Sequence, residues 1–458
     1  MMAGPQRPSG KSTRVRDATA VSDTTAARGR RALLAGGAAL AATGLLAGCD
    51  GGRPAPAPTD RPSYAPSAPA VRGRQPAGEG TVNVVTDFGA RGDGRTDDSE
   101  AFSRAYRYAA SRVWDHVGRT VLDIPPGSYV IRRPAALLDG DQPDRKANGL
   151  RFRGAGKRMT EIVFAPATSK DAYLCRNDDM WANLMFEQLR FRSATPGASF
   201  FHSYSTGQAQ DYRFTECEWT GEWTYGLALD GSNTNSEMRW EACRVGGAYR
   251  RAFLYSGLSE RARDPQRQDQ FLNYWFTDMK VEYEWGNFLE FPYGGSITCR
   301  GGSYIVTGRR PTDTEEYGRT STFFRFPRTR HFDAVQRFHA EDIRFEVRDP
   351  DVLVIDCAWG SGTVHFNDCD DTANAFKDFS DGVRPHRYRI GPRGPLVRYD
   401  SCQLTGRHQY TVADPIPSGR SVARYDMCLF RNHPVNSFAV LSGAAEAGQV
   451  RFVDCLGR

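Results

Sequence analysis

The sequence has no strong excess of charge of either sign once its first residues are set apart. The 458-residue chain carries 60 Lys and Arg against 54 Asp and Glu. Residues 1–49 hold seven of these basic side chains and two of the acidic ones, which leaves 53 basic and 52 acidic residues in the remainder. Domains that bind nucleic acid concentrate positive charge on one face. The balance after residue 49 therefore predicts that nucleic acid is not a partner.

The sequence also lacks an apolar run that is well suited to span a membrane. The run Ala32–Ala47 is short and rich in Ala and Gly, and Arg30 and Arg31 precede it. It leads into the sequence LAGC, which ends at Cys49 and has the form of a lipobox. We therefore predict that residues 1–49 are an export signal, with twin-arginine export suggested by the arginine pair. Cys49 would carry the lipid and anchor an extracytoplasmic lipoprotein at the cell surface.

Residues 50–80 lack any apolar period, and Pro and Ala dominate them. Such a composition is typical of a semi-extended tether. After Gly80, the rest of the chain follows without a second linker of this kind. Residues 81–458 are therefore predicted to form one elongated domain. The oligomeric state does not follow from the sequence.

The acidic stretch "VVTDFGARGDGRTDDSEAF" (84–102) does not fit a calcium loop. An EF-hand loop that began at Asp93 would need Glu at residue 104, which is Arg104. Asp93-Gly94 instead indicates a turn, and Asp97 with Glu100 three residues later predicts a helix N-cap with a reciprocal hydrogen bond from Glu100. Apolar residues at helical spacing follow at Phe102, Ala105, Tyr106, Ala109 and Val113. These acids are thus predicted to shape a strand–turn–helix.

Several motifs in this region occur in a fixed order: "DFGA" (87–90), "GDG" (92–94), "TDD" (96–98) and "TVLDIPPGSYVI" (120–131). Together they resemble the opening of the pectate-lyase-superfamily domain, which occurs in rhamnogalacturonase- and polygalacturonase-like proteins and in phage tailspikes. The resemblance covers residues 82–165. It implies an all-β fold, a right-handed parallel β-helix with an N-terminal capping helix. It also implies that the acidic stretch lies away from the catalytic groove.

A short phrase recurs along the chain: an apolar residue, a polar one, an aromatic, two polar residues and Cys. It reads "YRFTECEW" (212–219), "MRWEACRV" (238–245), "VHFNDCDD" (364–371), "VRYDSCQL" (397–404), "ARYDMCLF" (423–430) and "VRFVDCLG" (450–457). With another residue at the Cys position, it recurs as "LMFEQLRF" (184–191), "YWFTDMKV" (274–281), "ITCRGGSY" (297–304) and "RFHAEDIRF" (337–345). The spacing between phrases is often near 26 residues, with occasional longer intervals. Such a period indicates a solenoid, and the alternation within the phrase indicates a strand. We predict a β-helix of about ten coils or more.

The phrase assigns inward and outward positions. Its Cys should point inward, as a row of buried side chains whose state, thiol or disulfide, the sequence leaves open. A zinc site is disfavoured, because ligands that lie one coil apart in a ladder do not converge. Four residues before each Cys lies an outward row that is mostly basic, and two before it a row that is largely acidic. Mutual salt bridges are the favoured reading of these rows, and recognition of an anionic chain is the alternative.

A second strand follows most phrases, and its outward position predicts the candidate catalytic residues. That position reads Ala228, Leu254, Glu290, Arg325 and Val354, and the position just beyond the strand includes Asp356. Glu290 and Arg325 should therefore be neighbours on consecutive coils. The segment "RFPRTR" (325–330) resembles the R-x-P-x-x-R signature of pectate lyases. That resemblance implies proton abstraction by Arg325, a substrate contact by Arg330, and calcium as a cofactor.

Tryptophans near this region are candidate sugar-binding residues. Trp275 is predicted to point outward, and Trp223 and Trp285 are predicted to lie on loops, where their rings could stack on sugars. Insertions at 257–270 and 308–320 flank the region. Three carboxylate groups remain candidates for hydrolysis; they are Asp178 with Asp179, Asp368 with Asp370 and Asp371, and Glu282 with Glu284.

The chain lacks the other motifs of characterised β-helix enzymes. The Trp-x-Asp-His stretch of pectate lyases is absent, as are the Asn-Thr-Asp, Gly-His-Gly and Arg-x-Lys motifs of polygalacturonases and the Asp-Pro-His-Asp of alginate epimerases. No metal-ligand set can be assigned. Two functions stay open. The first is a cell-surface lyase or glycoside hydrolase that acts on an acidic polysaccharide, and the second is a non-catalytic β-helix that binds glycan or serves the envelope structurally.

Overall fold

The structure is a computed structural model. It describes residues 80–114, 120–231, 235–257, 272–292, 294–318, 320–327, 335–348, 352–372, 386–431, 433–446 and 448–457. The predicted export signal with Cys49, the predicted tether and Arg330 lie outside these residues. Among the described residues, no helix is long and apolar enough to cross a membrane.

The described chain is almost entirely β-structure, with one α-helix and short 3₁₀ helices at Thr312–Tyr317 and Val435–Ser437. In chain order the elements are β1 (Thr81–Asn83), β2 (Asp93–Asp97), α1 (Ser99–Trp114), β3 (Thr120–Asp123), β4 (Gly127–Ile131), β5 (Leu138–Gly140), β6 (Ala147–Arg153), β7 (Thr160–Phe164), β8 (Tyr173–Asp178), β9 (Trp181–Glu187), β10 (Arg190–Ser193), β11 (Ser199–Ser205), β12 (Arg213–Thr215), β13 (Glu218–Thr220), β14 (Glu222–Gly231), β15 (Met238–Glu241), β16 (Arg244–Val245), β17 (Ala248–Ser256), β18 (Tyr274–Tyr283), β19 (Asn287–Glu290), β20 (Gly295–Val306), β21 (Ser321–Phe326), β22 (Gln336–Glu341), β23 (Arg344–Val347), β24 (Val352–Cys357), β25 (Thr363–Asn367), β26 (Asp370–Thr372), β27 (Arg387–Ile390), β28 (Leu396–Asp400), β29 (Gln403–Leu404), β30 (His408–Val412), β31 (Ala423–Asp426), β32 (Leu429–Phe430), β33 (Ala439–Gly443), β34 (Val450–Val453) and β35 (Leu456–Gly457).

These strands stack in parallel as two sheets that run the length of the described chain. Sheet A has 24 strands, and sheet B has 11, in the order β5, β8, β11, β14, β17, β19, β21, β24, β27, β30 and β33. Each strand of sheet B pairs with the one from the next coil, for example β19 with β21 and β21 with β24. The fold is a right-handed parallel β-helix, as predicted, and its sheet B counts eleven coils.

The recurring phrase is not one straight strand, because the residue before each Cys position turns the chain. Each of these residues has a positive φ between 49° and 68°. They are Gln188, Glu216, Ala242, Asp278, Gly301, Asp342, Asp368, Ser401, Met427 and Asp454. A left-handed residue makes a corner between two short strands, such as β12 and β13. The corner lets the aromatic residue and the Cys three positions later both point inward, which simple alternation would forbid.

The interior is filled by rings stacked along the helix axis. The aromatic position of the phrase gives the series Phe152, Phe186, Phe214, Trp240 and Phe276, whose successive ring centroids are 4.7, 5.1, 5.4 and 4.6 Å apart. These spacings match the separation of neighbouring strands, about 4.8 Å. Each buried ring contributes on the order of 1.5–3 kcal/mol through burial alone. The stacked rows therefore hold the coils in register.

The Cys positions point inward, as predicted. Cys217, Cys243, Cys369, Cys402 and Cys428 are at most 1% exposed, and Cys455 in the last coil is partly exposed. All nine cysteines in the described part of the chain are free thiols. Burial raises the pKa of the Cys217 thiol well above its ordinary value. The thiol of Cys217 is therefore unreactive, and the row as a whole fills the core with small side chains.

The acidic N-terminal stretch shapes backbone, as predicted, and the helix after it covers the end of the solenoid. The Asp93 carboxylate accepts hydrogen bonds from the backbone of Thr96 and Arg95, which lowers its pKa to about 2. Asp97 accepts from Ser99 N at 3.0 Å. The predicted return bond from Glu100 is wrong, since its carboxylate pairs with Arg133 at 2.9 Å. Helix α1 buries the predicted face and packs on β3 and β6.

The outward rows of sheet A are joined by salt bridges. Arg398 Nε lies 2.8 Å from Asp400, and Arg424 Nε lies 2.8 Å from Asp426. Each of these arginine side chains is about half exposed. Exposed pairs of this kind contribute about 1 kcal/mol or less. The contacts support the salt-bridge interpretation over an anion-binding stripe on this face.

Candidate functional site

The outward row of sheet B differs from the predicted one on two coils, by one residue on the first and by two residues on the second. Strand pairing places Tyr255 beside Glu290, Glu290 beside Arg325, and Arg325 beside Asp356. Leu254 and Val354, predicted in this row, lie in the core instead. The reason is that consecutive residues such as Leu353 and Val354 both lie buried, which breaks the alternation used for the prediction. The neighbouring positions of Glu290 and Arg325 are as predicted.

Glu290 is a buried carboxylate held by two arginines. Its side chain has no exposed surface, and its Oε1 lies 2.5 Å from Arg251 Nη2 and 3.4 Å from Arg325 Nη1. Asn287 Nδ2 donates to the other oxygen at 2.9 Å. Burial opposes the charge on Arg251, but Glu290 outweighs it and raises the pKa of that guanidinium. Glu290 is thus placed to orient arginines rather than to exchange a proton with a ligand.

A third arginine enters from the segment between β20 and β21. Arg310 donates to the carbonyl oxygen of Arg250 and, at 3.3 Å, to that of Thr320. Tyr317 of the same segment accepts a bond from Arg325 Nη1 at 3.0 Å through its backbone oxygen. The segment therefore folds onto the outer face of sheet B over the arginines. This places the predicted 308–320 insertion at the site.

The charges in this cluster do not balance among the residues that the structure describes. Three guanidinium groups, those of Arg251, Arg310 and Arg325, interact with one carboxylate, that of Glu290. Burial and the nearby charges of Arg325 and Arg251 lower the pKa of Arg310 to about 10, although Glu290 opposes the shift. An additional anion would offset this repulsion. Arg251 and Arg325 keep 21% and 24% of their side-chain surface exposed, so an anion could reach them.

Tyrosine rings form one side of the cluster. The Arg251 guanidinium lies 4.7 Å from the centre of the Tyr255 ring and 5.7 Å from that of Tyr317. Tyr225 packs 5.7 Å from Tyr255. The three rings are partly exposed. Burial raises the pKa of Tyr225, so that its hydroxyl stays protonated at neutral pH. We name the set Arg251, Glu290, Arg310, Arg325, Tyr225, Tyr255 and Tyr317 the arginine–tyrosine cluster.

The cluster does not fit the calcium ion that the pectate-lyase resemblance implies. Calcium takes six to eight oxygen ligands, chiefly carboxylates. The described part of the cluster offers one carboxylate, Glu290, and both of its oxygens already accept bonds from cationic or amide donors. Across the described ranges, no group of three or more His, Cys, Asp and Glu side chains could hold a metal ion. The donor set of the cluster therefore suits an anion and not a calcium ion.

The predicted tryptophans are not brought to this cluster. Trp223 lies in strand β14 and is fully buried, so its predicted place on a loop is wrong. Trp285 lies on a connection as predicted, but it is only 7% exposed. Trp275 points outward as predicted, on sheet A, where the Arg239 guanidinium covers it at 4.4 Å. Sugar stacking on Trp223 is excluded by its burial.

In the first two predicted carboxylate groups, three side chains serve the scaffold, whereas Asp178 is partly exposed in β8 and pairs with Arg176 at 2.7 Å. Asp179 accepts bonds from Thr206 at 2.6 Å and Lys146 at 2.9 Å. Asp368 is one of the corner residues. Asp371 is fully buried and accepts bonds from Thr405.

The third predicted carboxylate group lies on sheet A. Glu282 is part of strand β18 and lies 3.3 Å from Arg244 Nη2 and 3.6 Å from Lys280 Nζ. Its carboxylate joins neighbouring coils in the same way as the other salt bridges of that sheet. None of the three predicted groups is brought to the arginine–tyrosine cluster.

Arg251, Arg310 and the tyrosines were not predicted from the sequence. Tyr255 follows directly after the predicted Leu254, so a correct register would have found it. Arg251 occupies the outer face of the same strand, β17. Arg310 lies within the insertion, whose course over the sheet depends on contacts that no local pattern encodes.

Comparison with known families is consistent with this fold. The family model described as rhamnogalacturonase A/epimerase, pectate lyase-like, matches residues 81–239, about a third of the chain. The matched segment is thus similar to this family. It contains the motifs of the N-terminal strand–turn–helix and ends before the arginines of the arginine–tyrosine cluster. No curated protein matches the chain.

Solved structures with similar folds are distant in sequence. ORF18 of Geobacillus virus E2 is 12% identical with a TM-score of 0.37, and the match covers 82% of this chain and 60% of that one. The A-module of a mannuronan C-5 epimerase from Azotobacter vinelandii is 12% identical with a TM-score of 0.33, covering 82% and 99%. The catalytic unit of an α-1,3-glucanase from Streptomyces thermodiastaticus is 12% identical with a TM-score of 0.34, covering 84% and 70%. Sequence identity and structural similarity at this level do not indicate that this chain shares the activity of any of these proteins.

Proposed function

We propose that this protein is a glycan-active β-helix protein that recognises an acidic polysaccharide at the arginine–tyrosine cluster. The observation that carries the proposal is the surplus of positive charge around the buried Glu290, where three guanidinium groups meet one described carboxylate. A uronate carboxylate would supply negative charge there. Guanidinium groups suit this task because they bind carboxylates through paired hydrogen bonds.

The tyrosines suit a sugar ring that follows the carboxylate. The central carbon of the Arg251 guanidinium lies 4.7 Å from the ring centre of Tyr255 and 5.7 Å from that of Tyr317. Aromatic rings offer apolar faces to the C–H surface of a sugar, and their hydroxyls can bond to its oxygens. A chain of acidic sugars could thus place a carboxylate on Arg251 or Arg325 and a ring against the tyrosines.

The arrangement favours elimination over hydrolysis, if the glycan is cleaved. Hydrolysis needs two carboxyl groups that flank the bond, whereas Glu290 is buried between two arginines. Elimination needs a base beside a neutralised carboxylate. The pKa of Arg310 is lowered to about 10, so this arginine loses its proton more readily than an ordinary arginine does. The alternative function, binding without turnover, uses the same contacts and no base.

A panel of acidic and neutral polysaccharides tests the proposal. We expect the wild-type chain to bind or cleave an acidic glycan, and Arg325→Ala to lose at least tenfold in affinity or rate at a nearly unchanged melting temperature. Arg387→Ala is the matched control, since Arg387 lies on the same outward row and pairs with Asp356 at 3.1 Å. Equal behaviour of the two variants, or binding of neutral glycans alone, would contradict the proposal.

The products separate an enzyme from a binding protein. Elimination creates an unsaturated uronate that absorbs ultraviolet light, and hydrolysis creates reducing ends without that absorbance. Binding without either product would establish the non-catalytic alternative and leave the anion site intact.

We also propose that the protein is an exported lipoprotein tethered at the extracytoplasmic membrane surface through Cys49. The support is the sequence alone: the arginine pair, the apolar run and the lipobox, followed by the Pro/Ala-rich residues 50–80. Replacing Cys49 with Ala should release the protein from membranes in a fractionated cell. Retention of Cys49→Ala in the membrane fraction would overturn the anchor.

A further inference from the structure

Two histidines face each other on the outer surface of sheet A, away from the arginine–tyrosine cluster. His339 in β22 and His365 in β25 are directly paired residues of neighbouring strands. Their Nδ1 atoms lie 3.2 Å apart, and each side chain is 30% exposed. Both lie in the outward row four residues before the Cys position. Other members of this row are Arg398 and Arg424, so the two imidazoles interrupt a largely basic row.

The second nitrogen of each imidazole faces a carboxylate. His365 Nε2 lies 2.6 Å from Asp400 Oδ2, and His339 Nε2 lies 3.9 Å from Glu341 Oε2. A carboxylate accepts a proton donor, so it favours the tautomer that carries hydrogen on Nε2. That tautomer leaves a lone pair on Nδ1. If both rings adopt it, two lone pairs lie at the short gap between the rings, and a proton or a cation there would relieve their repulsion.

The spacing of the two nitrogens fits a shared metal ion. Zinc binds imidazole nitrogen at about 2.0–2.1 Å in tetrahedral geometry, which sets two such nitrogens roughly 3.3–3.4 Å apart. The observed separation is 3.2 Å. A carboxylate behind the outer nitrogen of a metal-bound histidine fixes the ring and raises its basicity, and Asp400 stands in that position. Imidazole ligands suit zinc, copper and nickel rather than calcium or magnesium.

We propose that His339 and His365 form a binding site for a divalent transition-metal ion such as Zn²⁺, with their Nδ1 atoms as the two protein ligands. Asp400 and Glu341 orient the rings and do not coordinate the ion. The remaining coordination positions face solvent and would take water or an oxygen atom of a bound molecule. With only two protein ligands, the site binds more weakly than a closed structural zinc site.

Most of the arginine charge around the pair is compensated, although Arg337, which also acts on His339, donates to Ser296 Oγ at 2.8 Å. Arg398 is neutralised by Asp400 at 2.8 Å, and it also lies 3.6 Å from Asp426. Arg300 is neutralised by Glu341 at 2.8 Å. Asp400 and Glu341 contact these arginines and the Nε2 atoms of the two imidazoles. We therefore expect them to orient the histidine rings and not to coordinate the metal ion. Because the pair lies on sheet A, its role does not depend on the proposed glycan site on sheet B.

Zinc titration of the metal-stripped, tag-free chain tests the proposal. Isothermal titration should show one Zn²⁺ ion per chain, and both His339→Ala and His365→Ala should weaken binding at least tenfold. Asp400→Asn should weaken it by roughly tenfold or more through the loss of ring orientation. The control is His202→Ala, which removes an outward histidine of sheet B whose Nε2 lies 3.9 Å from Asp230. It should leave the titration unchanged.

Copper substitution gives an independent readout. The paramagnetic resonance of one bound Cu²⁺ should show hyperfine coupling to two imidazole nitrogens in the wild type and to at most one in either alanine variant. Circular dichroism checks that each variant is folded. Absence of stoichiometric zinc binding would overturn the proposal, as would an unchanged affinity for zinc in either alanine variant. In that event the histidines share only a proton.

Discussion

The Nη1 atom of Arg325 lies 3.4 Å from Oε1 of Glu290, whose side chain has no exposed surface. The pair joins consecutive strands of sheet B. Arg251, on the preceding coil, places its Nη2 atom 2.5 Å from the same Glu290 oxygen. Glu290 therefore belongs to the scaffold of the arginine–tyrosine cluster, and the partly exposed arginines present the charge.

This burial predicts a large effect of removing the carboxylate. Glu290→Ala should lower the free energy of unfolding by about 3–5 kcal/mol, because it leaves two partly buried guanidinium groups without their partner. Urea unfolding measures the loss. The control is Asp356→Ala on the same outward row, whose carboxylate is 25% exposed and pairs with Arg387. That change should cost about 1 kcal/mol or less, and equal losses would mean that Glu290 acts as a surface residue.

The buried Cys row predicts a pattern of thiol reactivity. Cys217, Cys243, Cys369 and Cys402 should not react with thiol reagents in the native protein, and Cys455, which is partly exposed, should react first. Labelling followed by mass spectrometry identifies each site. Cys402→Asp should prevent stable folding, since it buries a carboxylate without a partner. Native labelling of most of the four would refute the inward register.

The positive φ of the corner residues predicts that Gly at a corner raises the free energy of unfolding, whereas Val at a corner, or Gly at an ordinary strand position, lowers it. Ala242 has a φ of 50°, so Ala242→Gly should raise the free energy of unfolding by up to about 1 kcal/mol as backbone strain is relieved. Met427 has a φ of 53° and is 63% exposed. Met427→Val should therefore lower stability by about 1–2 kcal/mol with little loss of packing.

Glycine in an ordinary strand position provides the comparison for the corners. Arg213 lies exposed in β12 and is not among the residues with positive φ. Arg213→Gly should lower the free energy of unfolding by about 0.5–1 kcal/mol. A loss of similar size in Ala242→Gly would show that the corner carries no strain. Thermal or urea unfolding of the three variants decides between these outcomes.

Buried histidines in the C-terminal coils predict that acid destabilises the fold. His386 and His408 stack at 4.0 Å, and their Nδ1 atoms lie 2.7 Å and 2.6 Å from the hydroxyls of Tyr399 and Tyr425. Burial lowers the pKa of His386 to about 3, and burial together with His386 lowers that of His408. The pKa of histidine in an unfolded chain is about 6.5. Their contribution to stability is therefore lost progressively as the pH falls below about 6.5.

Asp371 has the opposite effect on how the free energy of unfolding depends on pH. Its Oδ2 lies 3.7 Å from His386 Nε2, and burial raises its pKa to about 6. A raised carboxyl pKa stabilises the fold at low pH, and that contribution is lost as the pH rises through about 6. Urea unfolding between about pH 7.5 and 4 should show a shallower acid loss for His408→Gln and a steeper one for Asp371→Asn. His202→Gln is the control, and identical pH profiles for all variants would refute the assignment.

The sequence by itself determined the repeating architecture. The recurring phrase places an aromatic residue and a Cys at fixed positions in each coil, and an apolar side chain in water costs free energy wherever it lies in the chain. Burying every copy of the phrase requires stacking, so the coil count, the inward Cys row and the N-terminal helix follow from local patterns. The adjacency of Glu290 and Arg325 followed as well, because it needs only the repeat.

Tertiary structure alone decided how the outer surface is used. The left-handed corners and consecutive inward residues change the side on which a residue lies, and that moved Tyr255 and Asp356 into the row of Glu290. Long-range folding of the segment that carries Arg310 created the surplus charge. The facing of His339 and His365 required the register of two coils and the position of Asp400. Such contacts join polar side chains that lie far apart in the chain, so no hydrophobic period in the sequence predicts them.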